Sequence, residues 1–196
     1  SITFSGLNNN WATLLDNVVV DGTPQNTGAS SWAQSNGSSA SWGTVANGNW
    51  KDTSLTTSKA APGTNAQFDS AETAIFDGRG TTTTINLDNT SPSLKQLEYS
   101  SGTLSYTIAQ GSGGTLQFKS DSGNANILDN VTAVQIISAP INLASNTTAT
   151  VGNSGELRVT GIISGPSSLT KAGPGTLTLN ANNTFSGSVN VMNGTL

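Results

Sequence analysis

Gly175-Thr176-Leu177-Thr178-Leu179 lies 20 residues beyond Gly155-Glu156-Leu157-Arg158-Val159 and 19 before Gly194-Thr195-Leu196. Further back, Gly114-Thr115-Leu116-Gln117-Phe118 precedes Gly155 by 41 residues, close to two such steps, and Gly102-Thr103-Leu104 repeats the same opening. Recurrence near twenty residues is the spacing of a solenoid rung. Within each segment a Leu and the residue two places on share one face, while Thr, Gln or Arg takes the other, so the segments read as short strands with an apolar side turned inward. Stacked in this way, each strand pairs with the rung above and below. A narrow core then suffices, and the terminal rungs are left with open edges.

The composition supports that reading and removes several functions. No window of about a dozen residues shows apolar positions at three-and-four spacing with recognisable caps, so helices are not expected. Ser, Thr, Asn and Gly make up roughly half of the 196 residues and only 9% are charged, against about 25% in ordinary domains, so the surface is one of hydroxyls and amides. Disorder is the competing interpretation, but β-branched alternation as in Thr81-Thr82-Thr83-Thr84-Ile85-Asn86-Leu87 is strand chemistry. The expected fold is all-β, a right-handed parallel β-helix (β-solenoid) with a Trp-rich N-terminal cap. With no His and no Cys the chain has no Ser-His-Asp triad, no Cys nucleophile and no Cys/His zinc site. Seven cations and a net charge of -4 make nucleic acid and anionic lipid poor partners, and apolar runs as short as Val18-Val19-Val20 cannot span a bilayer.

Residues 1–66 read differently from the rest. They hold all four Trp (Trp11, Trp32, Trp42, Trp50) and the Asn36-Gly37 and Asn47-Gly48 dipeptides in a background of Gly, Ser and Asn, which indicates hairpins and long loops. After the loop signal Pro62-Gly63-Thr64-Asn65, Ala74-Ile75-Phe76-Asp77-Gly78 opens the regular part. The boundary is placed near residue 66, with 67–196 as the solenoid, and the cap is expected to be continuous with it because it is too short for a full core of its own. The start at Ser1, without a charged-then-apolar leader, fits a processed chain or an excised fragment.

The stretch Leu169-Thr170-Lys171-Ala172-Gly173-Pro174-Gly175-Thr176-Leu177-Thr178-Leu179-Asn180, followed by Asn183-Thr184-Phe185-Ser186-Gly187 and Gly194-Thr195-Leu196, resembles the autotransporter-associated β-strand repeat. That pattern runs Leu-Thr-Lys-x-Gly-x-Gly-Thr-Leu-Thr-Leu, then Asn-Thr-Tyr-x-Gly and a closing Gly-Thr-Leu. Phe185 stands where the family usually has Tyr, and Ala181 where it often has Gly. Gly161-Ile162-Ile163-Ser164-Gly165 looks like the step that precedes such a repeat, and a looser resemblance reaches back to Asn47. The resemblance implies a secreted, surface-displayed parallel β-helix from a bacterium with an outer membrane. The ending in mid-pattern at Thr195-Leu196 implies that another rung, or another molecule, completes the last one.

Four groups of residues are candidates for chemistry or binding. Asp69, Glu72, Asp77 and Arg79 form the densest charge cluster and would be the acid–base pair of a glycan lyase or hydrolase. Asp and Gly together equally describe a turn at the junction of cap and solenoid, which is the favoured reading, so no catalytic residue is assigned. Trp11, Trp32, Trp42 and Trp50 either form a sugar-stacking platform or plug the open end of the solenoid, and the plug is favoured because a Gly-rich cap has little else to bury. Asp121-Ser122-Gly123-Asn124 and Asp129-Asn130 are Asp/Asn/Gly clusters of the kind that bind calcium, but neither matches a calcium loop, so no metal or cofactor is expected. Ile2 and Phe4, in the strand-like Ser1-Ile2-Thr3-Phe4-Ser5, together with Thr195 and Leu196 are the candidate assembly edge, through which one copy would add head to tail to the next. The expected function is a non-enzymatic structural element of a surface solenoid, a stalk, fibre or matrix subunit whose partners are further rungs, other copies or glycans. A carbohydrate-binding adhesin is the alternative.

Overall fold

A computed structural model describes residues 28–43, 48–54, 58–64, 72–100, 102–152 and 154–196. They form an all-β chain of three sheets, with no helix. The first sheet stacks β1 (Ala29–Trp32), β4 (Thr73–Phe76), β7 (Gln96–Tyr99), β10 (Ala125–Asp129), β13 (Thr147–Val151), β16 (Leu169–Ala172) and β18 (Val189–Val191), all parallel. The second stacks β2 (Ser39–Ser41), β5 (Thr84–Asn86), β8 (Thr107–Ala109), β11 (Gln135–Ile137), β14 (Glu156–Val159) and β17 (Thr176–Leu179). The third stacks β6 (Ser93–Leu94), β9 (Leu116–Phe118), β12 (Ile141–Leu143) and β15 (Ile163–Ser164). From β4 to β17 consecutive strands thus visit the sheets in turn, and each meets its equivalent one rung away, which is the expected parallel β-solenoid.

Alternation along each strand builds the core. Ala125, Ile127 and Asp129 of β10 point inward and Asn126 and Leu128 outward, and the same period of two runs through β13 and β14. Register then places inward residues in columns, such as Ala74, Leu97, Ile127, Ala149, Lys171 and Val191. The column one step along carries Phe76, Tyr99, Asp129 and Val151.

The rung length is less regular than the sequence spacing implies. Thr176 pairs with Glu156 and bridges Thr195, so the Gly155, Gly175 and Gly194 segments are equivalent, as expected. The Gly114 segment is not part of that series: Leu116–Phe118 is a strand of the third sheet, and the rungs beneath β14 in the second sheet are β11 and β8. A glycine followed by a strand marks any corner of the coil, so the triplet recurs at corners that do not stack. Asn190 follows Thr170 by 20 positions in register and Thr170 follows Thr148 by 22, whereas Asn126 follows Gln96 by 30.

At the N-terminal end, β3 (Trp50–Lys51) pairs antiparallel with β1, Trp32 opposite Trp50, and covers the edge of the first sheet. The boundary near residue 66 falls on residues that lie outside those described, but β1 and β2 on its N-terminal side pair parallel with β4 and β5 and are already solenoid strands. These described strands of the cap are part of the coil.

Candidate functional site

Trp32, Trp42 and Trp50 converge on Phe76. Their relative exposures are 0%, 0% and 1%, and Trp50 sits edge-on to Trp32 with ring centroids 5.1 Å apart and 4.7 Å from Trp42. Phe76 continues the cluster into the coil, stacked on Tyr99 at 5.4 Å. Each indole N–H donates to a backbone carbonyl: Trp32 to Thr82 (2.9 Å), Trp42 to Pro62 (3.0 Å) and Trp50 to Trp42 (2.9 Å). A stacking platform needs an open ring face, and none of these three has one. Trp11 lies outside the described residues, as do Ile2 and Phe4.

Asn49 holds this end together. Its side-chain amide donates to the Ser41 carbonyl (2.9 Å), its side-chain oxygen accepts from Gln34 (2.7 Å), and its backbone carbonyl accepts from Ala33 (2.9 Å). The loop before Trp50 is thereby tied to both β1 and β2.

The described members of the charge cluster do not assemble as an acid–base pair. Asp69 lies outside the described residues. Glu72 is buried and accepts a hydrogen bond from the Gly63 N–H, while Asp77 pairs with Arg79. Burial works against ionisation of Asp77, but the hydrogen bonds and charge of Arg79 outweigh it and hold the carboxyl below its usual range. Arg79 also donates to the Thr53 carbonyl (2.8 Å) and the Ser31 hydroxyl (3.3 Å), so it staples the second rung to the first. Glu72 and Asp77 flank β4 at its two ends, their backbones about 16 Å apart at the rise of a strand, and each carboxylate has its own partner there.

The two calcium candidates separate as well. Asp121, Gly123 and Asn124 lie on an exposed turn, whereas Asp129 turns into the core and Asn130 into solvent, so that pair offers no shared ligand set.

Outside, the first sheet presents a column of Thr73, Gln96, Asn126, Thr148, Thr170 and Asn190, all uncharged, at the spacing of adjacent strands. Side chains also link neighbouring rungs: Asn124 donates to Thr148 (3.2 Å), Ser93 to Gln117 (3.0 Å), and Ser188 to Ser168 (3.1 Å). At the C-terminal end Thr195 is held by its N–H to the Gly175 carbonyl (3.2 Å) and by its carbonyl to the Leu177 N–H (2.9 Å). Val189, Val191, Met192 and Leu196 are exposed there by 46%, 46%, 71% and 49%.

One functional group escaped the sequence reading. Lys171 faces inward from β16, fully buried, and its Nζ donates to the carbonyls of Ala172 (2.7 Å), Gly173 (2.6 Å) and Asn193 (3.1 Å). Desolvation pulls its pKa below the usual range, yet three acceptors call for three N–H donors, so the group bonded here is the ammonium. It joins β16 to the loop of the next rung. Its signal in the sequence is its place two residues after Leu169, on the same inward face. Lys171→Met is expected to keep the body of the coil folded while lowering local stability of the last rung by about 2 kcal/mol, the scale of a charge-assisted bond. Amide exchange at Met192 and Thr195 would then accelerate about thirtyfold; unchanged exchange there would remove the staple role.

No curated protein and no solved structure matches the chain. The family model described as Passenger-associated-transport-repeat matches residues 169–196, the span that holds β16, Lys171, β17 and β18. The last part of this solenoid therefore matches the passenger-associated-transport-repeat, in agreement with the resemblance read from its sequence.

Proposed function

We propose that the chain is a structural, non-enzymatic stretch of a surface-displayed passenger, a stiff spacer exposed outside a bacterium with an outer membrane. The observation that carries this reading is the unbroken parallel stacking from β1 to β18, closed at one end by β3 and the Trp cluster and built at the other from a passenger-associated-transport-repeat. Stacked strands supply stiffness, since the central rungs contact their neighbours along three sheets. The uncharged outer column of the first sheet supplies many weak hydrogen bonds to glycans or to neighbouring fibres without committing the surface to one ligand. In this reading the open edge of β18 and Thr195 accepts a further rung, supplied by continuing polypeptide or, head to tail, by another copy.

Surface exposure is the decisive test. Antibody raised against the folded chain is applied to intact cells of the source organism, and the cells are then shaved with protease. Labelling of intact cells, with the antigen lost on shaving or recovered from the medium, is the expected result. Antigen found only after lysis overturns the reading. Sedimentation of the purified chain across concentrations separates the two sources of the added rung, because self-stacking alone gives growing, unclosed assemblies.

A further inference from the structure

We propose that Asp129 and Tyr99 form a proton-responsive weak point in the middle of the solenoid: with a proton on Asp129 the inner column is neutral and tight, and without it the rungs of β7 and β10 loosen. The two residues are direct register partners on adjacent rungs, both inward and both with 0% exposure. Above and below them the column is apolar, Val151 on β13 and Phe76 on β4. Asp129 Oδ1 accepts from the Val131 N–H (3.3 Å), but Asp129 Oδ2 and the Tyr99 hydroxyl are buried with no hydrogen-bond partner. A buried polar atom left unsatisfied is a standing cost, and it rises steeply when the group is charged.

Among the described residues no cation compensates Asp129. From β7 it is faced by Tyr99, whose own ionisation its charge opposes, and from β13 by uncharged Val151. Tyr106 stacks on Tyr99, donates its hydroxyl to the Gly80 carbonyl (2.6 Å) and is pushed up to about 12, mainly by burial. Gln135, also interior, is neutral and spends its amide on the carbonyls of Leu104 and Ala133. Burial accordingly raises Asp129 to about 6, against which the bond from Val131 counts little. An acid that holds its proton more tightly folded than unfolded stabilises the fold at low pH. That contribution is full below about pH 4, declines as pH rises through 6, and is absent at neutral pH.

The test compares the wild-type chain with Asp129→Asn, which keeps the shape and removes the charge. Between pH 5 and pH 8 the wild-type melting temperature is expected to fall by roughly 5 °C more than that of the variant. Protection of the Gly152 amide, which donates to the Asp129 carbonyl, should drop over the same range in the wild type alone. Parallel pH profiles for the two proteins overturn the proposal. Should Asp129→Asn fail to fold, carbon-13 titration of the carboxyl groups in the wild-type chain decides. One Asp with a midpoint well above the ordinary value of about 4 sustains it, and its absence overturns it.

Discussion

Trp50→Ala is expected to destabilise the chain by about 3–5 kcal/mol, the largest loss at any single side chain. Trp50 touches Trp32, Trp42 and Phe76, with centroids at 5.1, 4.7 and 5.6 Å, and holds β3 against β1 through the pairing opposite Trp32. Alanine would leave a cavity the size of an indole in a cluster whose backbone is pinned by Asn49, so collapse cannot fill it. It would also uncover the edge of the first sheet. Urea unfolding followed by Trp fluorescence measures the effect, and a variant within 1 kcal/mol of wild type would show that the cluster does not close the coil.

Gly175→Ala follows, at about 2–3 kcal/mol, for a different reason. A Cβ on Gly175 would stand 2.2 Å from the Gly152 carbonyl oxygen and 2.7 Å from that of Gly155, both backbone atoms of the rung below. The rungs could accommodate it only by separating, at the cost of the β14–β17 ladder. Gly152→Ala is the matched control, because its Cβ would meet its nearest neighbour at 3.3 Å, a contact that a shift of a few tenths of an ångström relieves. Gly152→Ala should therefore cost less than about 1 kcal/mol. Equal losses at the two positions would mean that glycine serves this corner through chain flexibility rather than close approach.

The crowding at Gly175 explains why so much of the architecture was legible. A corner at which backbones touch admits only glycine, and the strand after it must bury its second residue, so Gly-x-Leu is written wherever this corner recurs. The same signal misled at Gly114, because other corners also favour glycine and the triplet does not say which corner it marks. Lys171 and Asp129 were not read as interior groups for a different reason: each is one polar residue in an inward column otherwise filled by aliphatic or aromatic residues, and although Lys171 belongs to the Leu-Thr-Lys motif, the motif does not say which way its side chain points. Period-two counting from Leu169 and from Ala125 puts both inside, so their direction was legible in the alternation rather than in the motifs. The tryptophans show a third case. Composition identifies them as unusual, yet burial against an aromatic cluster and exposure to a sugar leave the same mark in sequence, and the two part only when Phe76 is seen beneath them.

The unequal ends of the coil also bear on how it comes into being. Most of the aromatic mass among the described residues lies at the end closed by β3, where Trp32, Trp42, Trp50, Phe76, Tyr99 and Tyr106 form one continuous cluster. Each later rung closes a loop of only 20 to 30 residues onto a finished template, a small entropic toll that is repaid at once by a full ladder. Folding of this kind is a zipper with a heavy first tooth: slow to catch among the rings, then rapid and directional along the axis, with the glycine corners setting the pitch.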